Sequence, residues 1–339
     1  MEPLNATDYE ELARARLDDN AWEYFRGGAG DESTMRENRS AFERWKLQPR
    51  VLIDVTDVDT GTTVLGTPVS APILVAPVAL QKLAHADGEA ATARAAAKAG
   101  TIMLLSTSAT MRPGQVAAAA PDAPRWFQVY VFRDRGVTQS LIDEACEHGY
   151  SALVLTVDAP ILGRREGALR VGFHIPDELE VAGDIFGDID PSVSWRDLEW
   201  IAGHGLPVVL KGVLTAADAV TAVEHGAAAV VVSNHGGRQL DGVPASIDAL
   251  PAVVEAVGER AEVLLDSGVR RGVDVLRALA LGARAVLLGR PVVYALAVDG
   301  EDGVLHVLEL LREEIDLGLR LLGCTSPAEV TREHVAWMS

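Results

Sequence analysis

The sequence predicts an α/β protein, a (β/α)8 TIM barrel spanning residues 1–339 as a single domain. Three observations predict it. Short runs of Val, Leu, Ile and Ala alternate with Ala-rich amphipathic stretches, the rhythm of a parallel sheet wrapped by helices. There are eight such runs, a number that favours a closed barrel over an open sheet. Nearly every run ends in a polar residue, where the C-terminal mouths of barrel strands place their chemistry.

The elements follow in order. Residues 1–45 are expected to form helices that cap one end of the barrel. Asn5-Ala6-Thr7 offers an N-cap before Tyr9, Leu12 and Ala13. Trp22-Glu23-Tyr24-Phe25 runs into a helix stop at Arg26-Gly27-Gly28-Ala29-Gly30, and a charged helix covers 33–44. Strands are expected at 72–76, 102–105, 126–130, 152–157, 208–211, 229–233, 263–266 and 285–288. Helices are expected at 88–99, 113–120, 138–148, 216–225, 246–257, 272–281 and 291–297, with an amphipathic helix over 304–322. Residues 162–194 break the rhythm after the fourth strand. This short loop is acidic, with Asp177-Glu178-Leu179-Glu180 and the stretch from Asp184 to Asp190, and is expected to be a mobile, partly disordered lid.

Composition narrows the function. A chain of 339 residues that is 48% hydrophobic can bury a sizeable core. The net charge of −19 argues against nucleic acid or an anionic membrane, because no basic stripe is present to displace counterions. It does not argue against a small anion, since salt screens the global field within ~8 Å and local arginines decide. Cys146 and Cys324 form no CxxC pair and suit structural thiols in a reducing compartment. No basic region followed by an apolar core opens the chain, and no apolar run reaches the ~18 residues of a membrane span, so a soluble, cytoplasmic protein is expected. His85, His148, His174, His204, His225, His306 and His334 show no metal spacing, and no metal is expected.

The polar strand ends are Ser106, Gln128 with Tyr130, Thr156 with Asp158, Lys211, Ser233 with His235, Asp266 and Arg290. Core packing does not explain their convergence on one rim, because buried polar groups cost energy unless paired. The densest stretch is Ser233-Asn234-His235-Gly236-Gly237-Arg238-Gln239-Leu240-Asp241. A polar turn with a surface His is the commoner meaning of a lone His at a strand end. Here His235 can move a proton near neutral pH, Arg238 offers a fork for a carboxylate, and paired glycines allow close backbone approach. On pattern alone Tyr24 is a packing aromatic. The segment Asp266-Ser267-Gly268-Val269-Arg270-Arg271-Gly272 opens a helix after the seventh strand, and Leu288-Gly289-Arg290-Pro291 follows the eighth. Such loops with a helix N-terminus form the recurring barrel phosphate site, with Arg270 and Arg290 for the dianion and Gly268 and Gly289 exposing amides. No GxGxxG follows a first strand, against a dinucleotide fold. Gln128 and Thr156 suit the edge of a heterocycle, and Lys211 can set positive charge against an electron-accepting ring. FMN meets these demands; a phosphorylated substrate without flavin is the alternative.

With these residues collected, the chain resembles the FMN-dependent α-hydroxy acid oxidase and dehydrogenase family, which includes glycolate oxidase, lactate oxidase and mandelate dehydrogenase. The likeness runs from about Tyr9 to the last helix. It is carried by the 233–241 stretch and by Pro49-Arg50, Leu52-Ile53-Asp54-Val55, Ala76-Pro77, Phe127-Gln128-Val129-Tyr130, Leu155-Thr156-Val157-Asp158 and Leu210-Lys211-Gly212. The resemblance implies FMN as cofactor and oxidation of an L-2-hydroxy acid to the 2-keto acid. It implies His235 as the base, Asp158 as the partner of the imidazolium, Arg238 with Tyr24 as a carboxylate clamp, and Tyr130 and Arg165 as further substrate contacts. It implies flavin contacts from Ala76, Pro77, Val78, Ser106, Gln128, Thr156, Lys211, Ser233, His235, Asp266, Gly268, Arg270, Gly289 and Arg290, with Lys211 stabilising the anionic reduced ring. It also implies a homotetramer. The sequence departs from the family at Val78, where many members have a hydroxyl, so one flavin hydrogen bond is expected from backbone alone. Ser108 replaces the bulky aromatic of glycolate-type members, and Ala79 is small. Both imply a roomy pocket for a mandelate-like or long-chain acid. Residues 162–194 carry no apolar anchor or electron-carrier domain, which favours O2 as acceptor, giving H2O2. Rival readings are a dehydrogenase using another acceptor, an FMN barrel of a different reaction type, and a non-catalytic phosphate-binding barrel.

Overall fold

Eight parallel strands close on themselves: β1 (Ile73–Val75), β2 (Met103–Ser106), β3 (Arg125–Val129), β4 (Leu153–Thr156), β5 (Val208–Val213), β6 (Ala229–Val232), β7 (Glu262–Leu265) and β8 (Ala285–Leu288). Each pairs with its sequence neighbours, and β8 pairs back to β1 through Val286–Ile73, Leu287–Leu74 and Leu288–Val75. The computed structural model describes residues 3–179 and 188–338. All eight expected strands are present, which makes this the (β/α)8 barrel.

The two-residue period of a strand explains how these sequences build a mouth. Leu74, Leu104, Trp126, Val154, Val209, Val231, Leu264 and Leu287 point inward and pack on one another in the barrel's interior. Their neighbours, among them Val75, Leu105, Phe127, Leu155, Leu210, Val230, Leu265 and Val286, point outward into the core shared with the helices. Two residues beyond each inward residue, on the same face, stand Ala76, Ser106, Gln128, Thr156, Lys211, Ser233, Asp266 and Gly289. The polar rim is therefore the next layer of the same barrel, stacked on an apolar floor. Register sets neighbours beside each other, Ser106 opposite Gln128 and Thr156 opposite Lys211.

Helix Ala6–Arg16 starts where Asn5 Oδ1 accepts from the backbone N–H of Thr7 at 2.8 Å and of Asp8 at 3.2 Å. Helix Asp19–Arg26 is capped by Asp18 and stops at Gly27. The expected 33–44 helix is Ser33–Ser40 followed by a 3-10 turn, Ala41–Arg44. The two helices expected at 291–297 and 304–322 are both present within Arg290–Leu322, separated by the non-helical Asp299 and Gly300.

Three elements had no counterpart in the sequence reading. Trp45–Leu47 pairs antiparallel with Val335–Trp337. Thr62–Val64 and Thr67–Val69 form a hairpin. Helix Trp195–Ala202 completes the fourth crossover; Asp197 accepts from the backbone N–H of Ser194 at 2.7 Å and from its hydroxyl at 3.2 Å. Within the expected lid, Glu166–Arg170 is a short helix, Ile189 bridges to Phe132, and Asp190 pairs with Arg135 at 2.8 Å. The acidic runs expected there are only partly seen, since residues 180–187 lie outside the described residues.

Candidate active site

The barrel mouth holds a cavity of about 1090 Å³, measured out to its opening. Ala76, Pro77, Val78, Ser106, Gln128, Thr156, Lys211, His235, Asp266, Gly268, Arg270, Gly289 and Arg290 line it, as do Tyr24, Ala79, Ser108, Tyr130, Arg165 and Arg238. Asp158 and Ser233 stand behind this wall and act through His235 and Lys211. The lining also includes Phe25, Leu162, Ile189, Ser267, Val269, Leu287, Pro291 and Val293, which the sequence reading did not find.

His235 follows β6 in a left-handed conformation, φ 58°. That is an uncommon place for a side chain with a Cβ, though less so for His than for most residues. Local bonds hold it there. The His235 N–H donates to Ser233 Oγ at 3.0 Å, Gly236 N–H to Ser267 Oγ at 2.9 Å, and Gly237 N–H to Asn234 Oδ1 at 3.1 Å. Asn234 is fixed in turn by a reciprocal amide pair with Asn38 of the cap, at 2.7 and 2.8 Å. His235 Nδ1 lies 2.9 Å from Asp158 Oδ1. Burial raises the Asp158 pKa, but His235 and Lys211 outweigh burial and hold the carboxyl below its ordinary range. An ionised carboxylate only accepts, so Nδ1 carries the proton and Nε2 presents a lone pair. Burial, aided by Lys211 and Arg165, depresses the His235 pKa against the opposing pull of Asp158. The resting ring is neutral near pH 7, a base beside an anion ready to compensate its charge.

Gly212 makes room for that anion. β5 bulges between Lys211 and Val213, Gly212 has φ 110°, and a Cβ there would lie 2.7 Å from Asp158 Cβ and Cγ. Gly212→Ala is expected to displace Asp158 and lower kcat about 100-fold, the cost of ångström-scale misplacement of a catalytic group, with little change in bound flavin. Steady-state kinetics with flavin quantitation checks this; an unchanged kcat refutes it.

Lys211 is almost wholly buried and donates to Ser233 Oγ at 3.2 Å, with Asp266 Oδ2 at 3.1 Å. Burial opposes its charge, yet Asp266 and Asp158 outweigh burial and hold the ammonium above the usual lysine range. Gln128 Oε1 accepts from Ser106 Oγ at 3.1 Å and Thr107 N at 3.2 Å, which fixes the amide and turns Nε2 away. Among the described residues Gln128 Nε2 is buried with no acceptor, and the Ser108 hydroxyl is buried without a partner. Burial raises the Tyr130 phenol to about 12, reinforced by Asp158, so it stays a neutral hydrogen-bond donor. Tyr24 is both packing and site: it stacks on Phe173 at 4.8 Å and lies under the Arg238 guanidinium at 5.3 Å.

Four guanidiniums surround the cavity, and among the described residues none of them has a carboxylate partner within 4.0 Å. Arg238 Nη1 donates to Tyr24 O at 2.7 Å and Gly27 O at 2.8 Å. Arg290 donates to Phe25 O at 3.1 Å, Gly236 O at 2.9 Å and Gly27 O at 3.3 Å. Arg165 reaches Arg238 O at 3.3 Å and Gln239 Oε1 at 3.4 Å. Arg270 donates to Val269 O at 2.9 Å, and its Nε is buried without an acceptor. Burial and Arg290 depress Arg270 to about 10, and burial with Arg165 and Arg290 pulls Arg238 well down. Cations held this way are short of counter-charge. The four form one run, in which Arg238 and Arg290 share the Gly27 carbonyl, Arg165 adjoins Arg238 and Arg270 adjoins Arg290, and its two ends suit separate anions.

One expectation needs correction. Helix Gly272–Ala280 after β7 does not offer its N-terminus to a phosphate. Asp274 Oδ2 accepts from Arg270 N and Arg271 N, both at 3.0 Å, and Glu314 accepts from Gly272 N at 2.6 Å. The available amides are in the turn before it, where Gly268 and Val269 N–H find no acceptor among the described residues. Gly268 has φ 95°, and a Cβ there would meet Asn38 O at 2.0 Å, so only glycine fits the turn. With the lone Gln128 donor, the buried Lys211 ammonium and the Arg270–Arg290 pair, these groups fit FMN.

Known proteins agree with this geometry. Residues 13–337 match the family model described as FMN-dependent dehydrogenase. An L-lactate oxidase of Nostoc sp. is 48% identical, over 97% of this chain and 96% of its own length. A glycolate oxidase of Spinacia oleracea is 48% identical, over 99% and 96%. A crystal structure of mandelate oxidase with benzoyl-formic acid superposes with a TM-score of 0.93 at 42% identity, over 99% of this chain and 98% of that one.

Proposed function

The chain belongs to the FMN-dependent α-hydroxy acid oxidase family and is an FMN-dependent 2-hydroxy acid oxidase, and on that premise we propose that its substrate is larger than glycolate, an aromatic or long-chain L-2-hydroxy acid. The observation that carries the chemistry is the His235–Asp158 pair, Nδ1 to Oδ1 at 2.9 Å, which fixes the ring proton on the Asp158 side and leaves Nε2 as the acceptor. A substrate carboxylate is held by Arg238 and Arg165, with Tyr24 beside them. Tyr130 donates to a substrate oxygen. Nε2 of His235 accepts the proton of the 2-hydroxyl as the C–H hydrogen departs with its electron pair as hydride, and Asp158 compensates the imidazolium. FMN, when bound, would supply the acceptor for that hydride, with O2 as the oxidant and H2O2 as its product. The buried Lys211 ammonium would hold the flavin ring and supply fixed positive charge to it.

The size preference rests on the distal wall. Ala79 and Ser108 are small, and Leu162, Ile189 and the Tyr24–Phe173 stack make that region apolar and aromatic. Each extra methylene accommodated in such a wall is worth about 10–200-fold in selectivity. Comparative kcat/KM on glycolate, L-lactate and (S)-mandelate is expected to favour mandelate, with anaerobic bleaching of the flavin and H2O2 release in air. A clear preference for glycolate would sink the size assignment.

A further inference from the structure

Two loops carry the residues that set the width of the substrate pocket. Ala79 lies after β1 and Ser108 after β2. They meet where Leu80 N–H donates to Ser108 O at 3.2 Å. Their second tie is a carboxylate that touches no part of the reaction. Glu89, in helix Gly88–Lys98, is 0% exposed. Its Oε1 accepts from Gln81 N–H at 3.2 Å and from Thr110 N–H at 2.9 Å, and its Oε2 accepts from Thr110 Oγ1 at 2.5 Å. Gln81 belongs to the β1 loop and Thr110 to the β2 loop, so one side chain grips both. Thr92, one turn further along the same face of the helix, donates to Gln81 Oε1 at 2.6 Å, and Gln81 Nε2 donates to Val78 O at 3.3 Å.

No cation pairs with Glu89 among the described residues, and burying a carboxylate without one is unfavourable. Three donors converging from two loops offset that cost. A fold needing only a filled space at this position would be served by an apolar residue. What the carboxylate adds is a single acceptor shared by two loops at once. Losing it leaves two backbone N–H groups buried without partners and frees the loops to part.

We propose that Glu89 is a positioning residue for substrate choice: it fixes the gap between Ala79 and Ser108 and so the girth of the acid the enzyme admits. The proposal rests on the assignment of those two residues to the distal wall. It is tested on the FMN-loaded enzyme by the ratio of kcat/KM for (S)-mandelate to that for L-lactate. In Glu89→Ala the ratio is expected to move at least about tenfold, through KM more than kcat, with flavin content unchanged. Glu89→Gln, which keeps a carbonyl oxygen for the two backbone donors, restores most of the wild-type ratio. Equal losses on both acids, or an unchanged ratio in a soluble, flavin-loaded Glu89→Ala, would overturn the proposal and leave Glu89 a folding residue. Should Glu89→Ala not fold, Thr110→Val decides. It removes only the hydroxyl donor, and the ratio is expected to shift in the same sense by less; no shift refutes the proposal. Failure of the large-acid assignment is distinguishable, because it shows in the wild-type enzyme as a preference for glycolate, whereas this proposal is read from variant to wild type.

Discussion

His235→Ala yields a folded yellow protein that 2-hydroxy acids no longer reduce at a useful rate. General-base catalysis contributes about 10²–10⁴-fold, and here no other neutral base stands at the mouth. Asp158 lies behind the wall and is ionised, and burial keeps the Tyr130 phenol neutral. The fold survives because alanine in the left-handed conformation costs about 1–2 kcal/mol, small beside the 5–15 kcal/mol stability of a domain. Flavin is retained because the phosphate end and Lys211 are untouched. Anaerobic stopped-flow reduction measures the loss; reduction at the wild-type rate removes His235 from its role. The same base sets the pH dependence. It must be neutral to act, and burial lowers its pKa below the ordinary 6.5. The wild-type kcat/KM is therefore expected to be level through neutral pH and to fall about tenfold per unit only below 6.5.

Arg270→Met separates flavin binding from folding. Among the described residues the Arg270 side chain makes one hydrogen bond, to the carbonyl of its neighbour Val269, so its loss strands little. Its charge is half-buried beside Arg290 with no carboxylate within 4.0 Å among the described residues, which destabilises the flavin-free protein. Removing it is expected to leave the apoprotein as stable as wild type or more so. Loss of its charge-assisted hydrogen bonding to the phosphate would weaken FMN about 100-fold. Saturating FMN raises the Tm of a protein that binds it, by about 2.7 kcal/mol of stabilisation at a hundred times Kd. In Arg270→Met that rise largely disappears at the same FMN concentration. Full flavin content and an undiminished Tm rise would show that the phosphate is held elsewhere. Arg290 is the poorer test, since it also holds three backbone carbonyls in place.

The barrel strands were legible because each is a local signal, an apolar run closed by a polar residue. The rim was legible because side chains that carry chemistry are few in kind and recur with the strand period. Elements held by distant partners were not. Trp45–Leu47 and Val335–Trp337 form a ladder across nearly the whole sequence, and neither is a strand without the other. Helix Trp195–Ala202 did announce itself, in the Ser194-x-x-Asp197 capping box, but the irregular segment before it masked the signal. Of the site, Phe25, Leu162, Ile189 and Val293 carry no chemical signature, and only their place in space makes them lining. Gly212 and the Asn38–Asn234 pair stayed hidden for another reason: they act by shaping and holding residues that act.

Arg238 and Arg290 reach out of the barrel to the backbone carbonyls at the end of helix Asp19–Arg26, where a helix has no internal donors left. A terminal helix laid over a barrel would ordinarily open and close on its own, exchanging its amides by local fluctuation. Here any such opening strips two guanidiniums of their acceptors inside a cavity already rich in positive charge. The cap is therefore expected to unfold with the barrel as one cooperative unit, which hydrogen exchange of the Asp19–Arg26 amides measures. An element that looks appended in the topology shares its protection against exchange with the strands it covers.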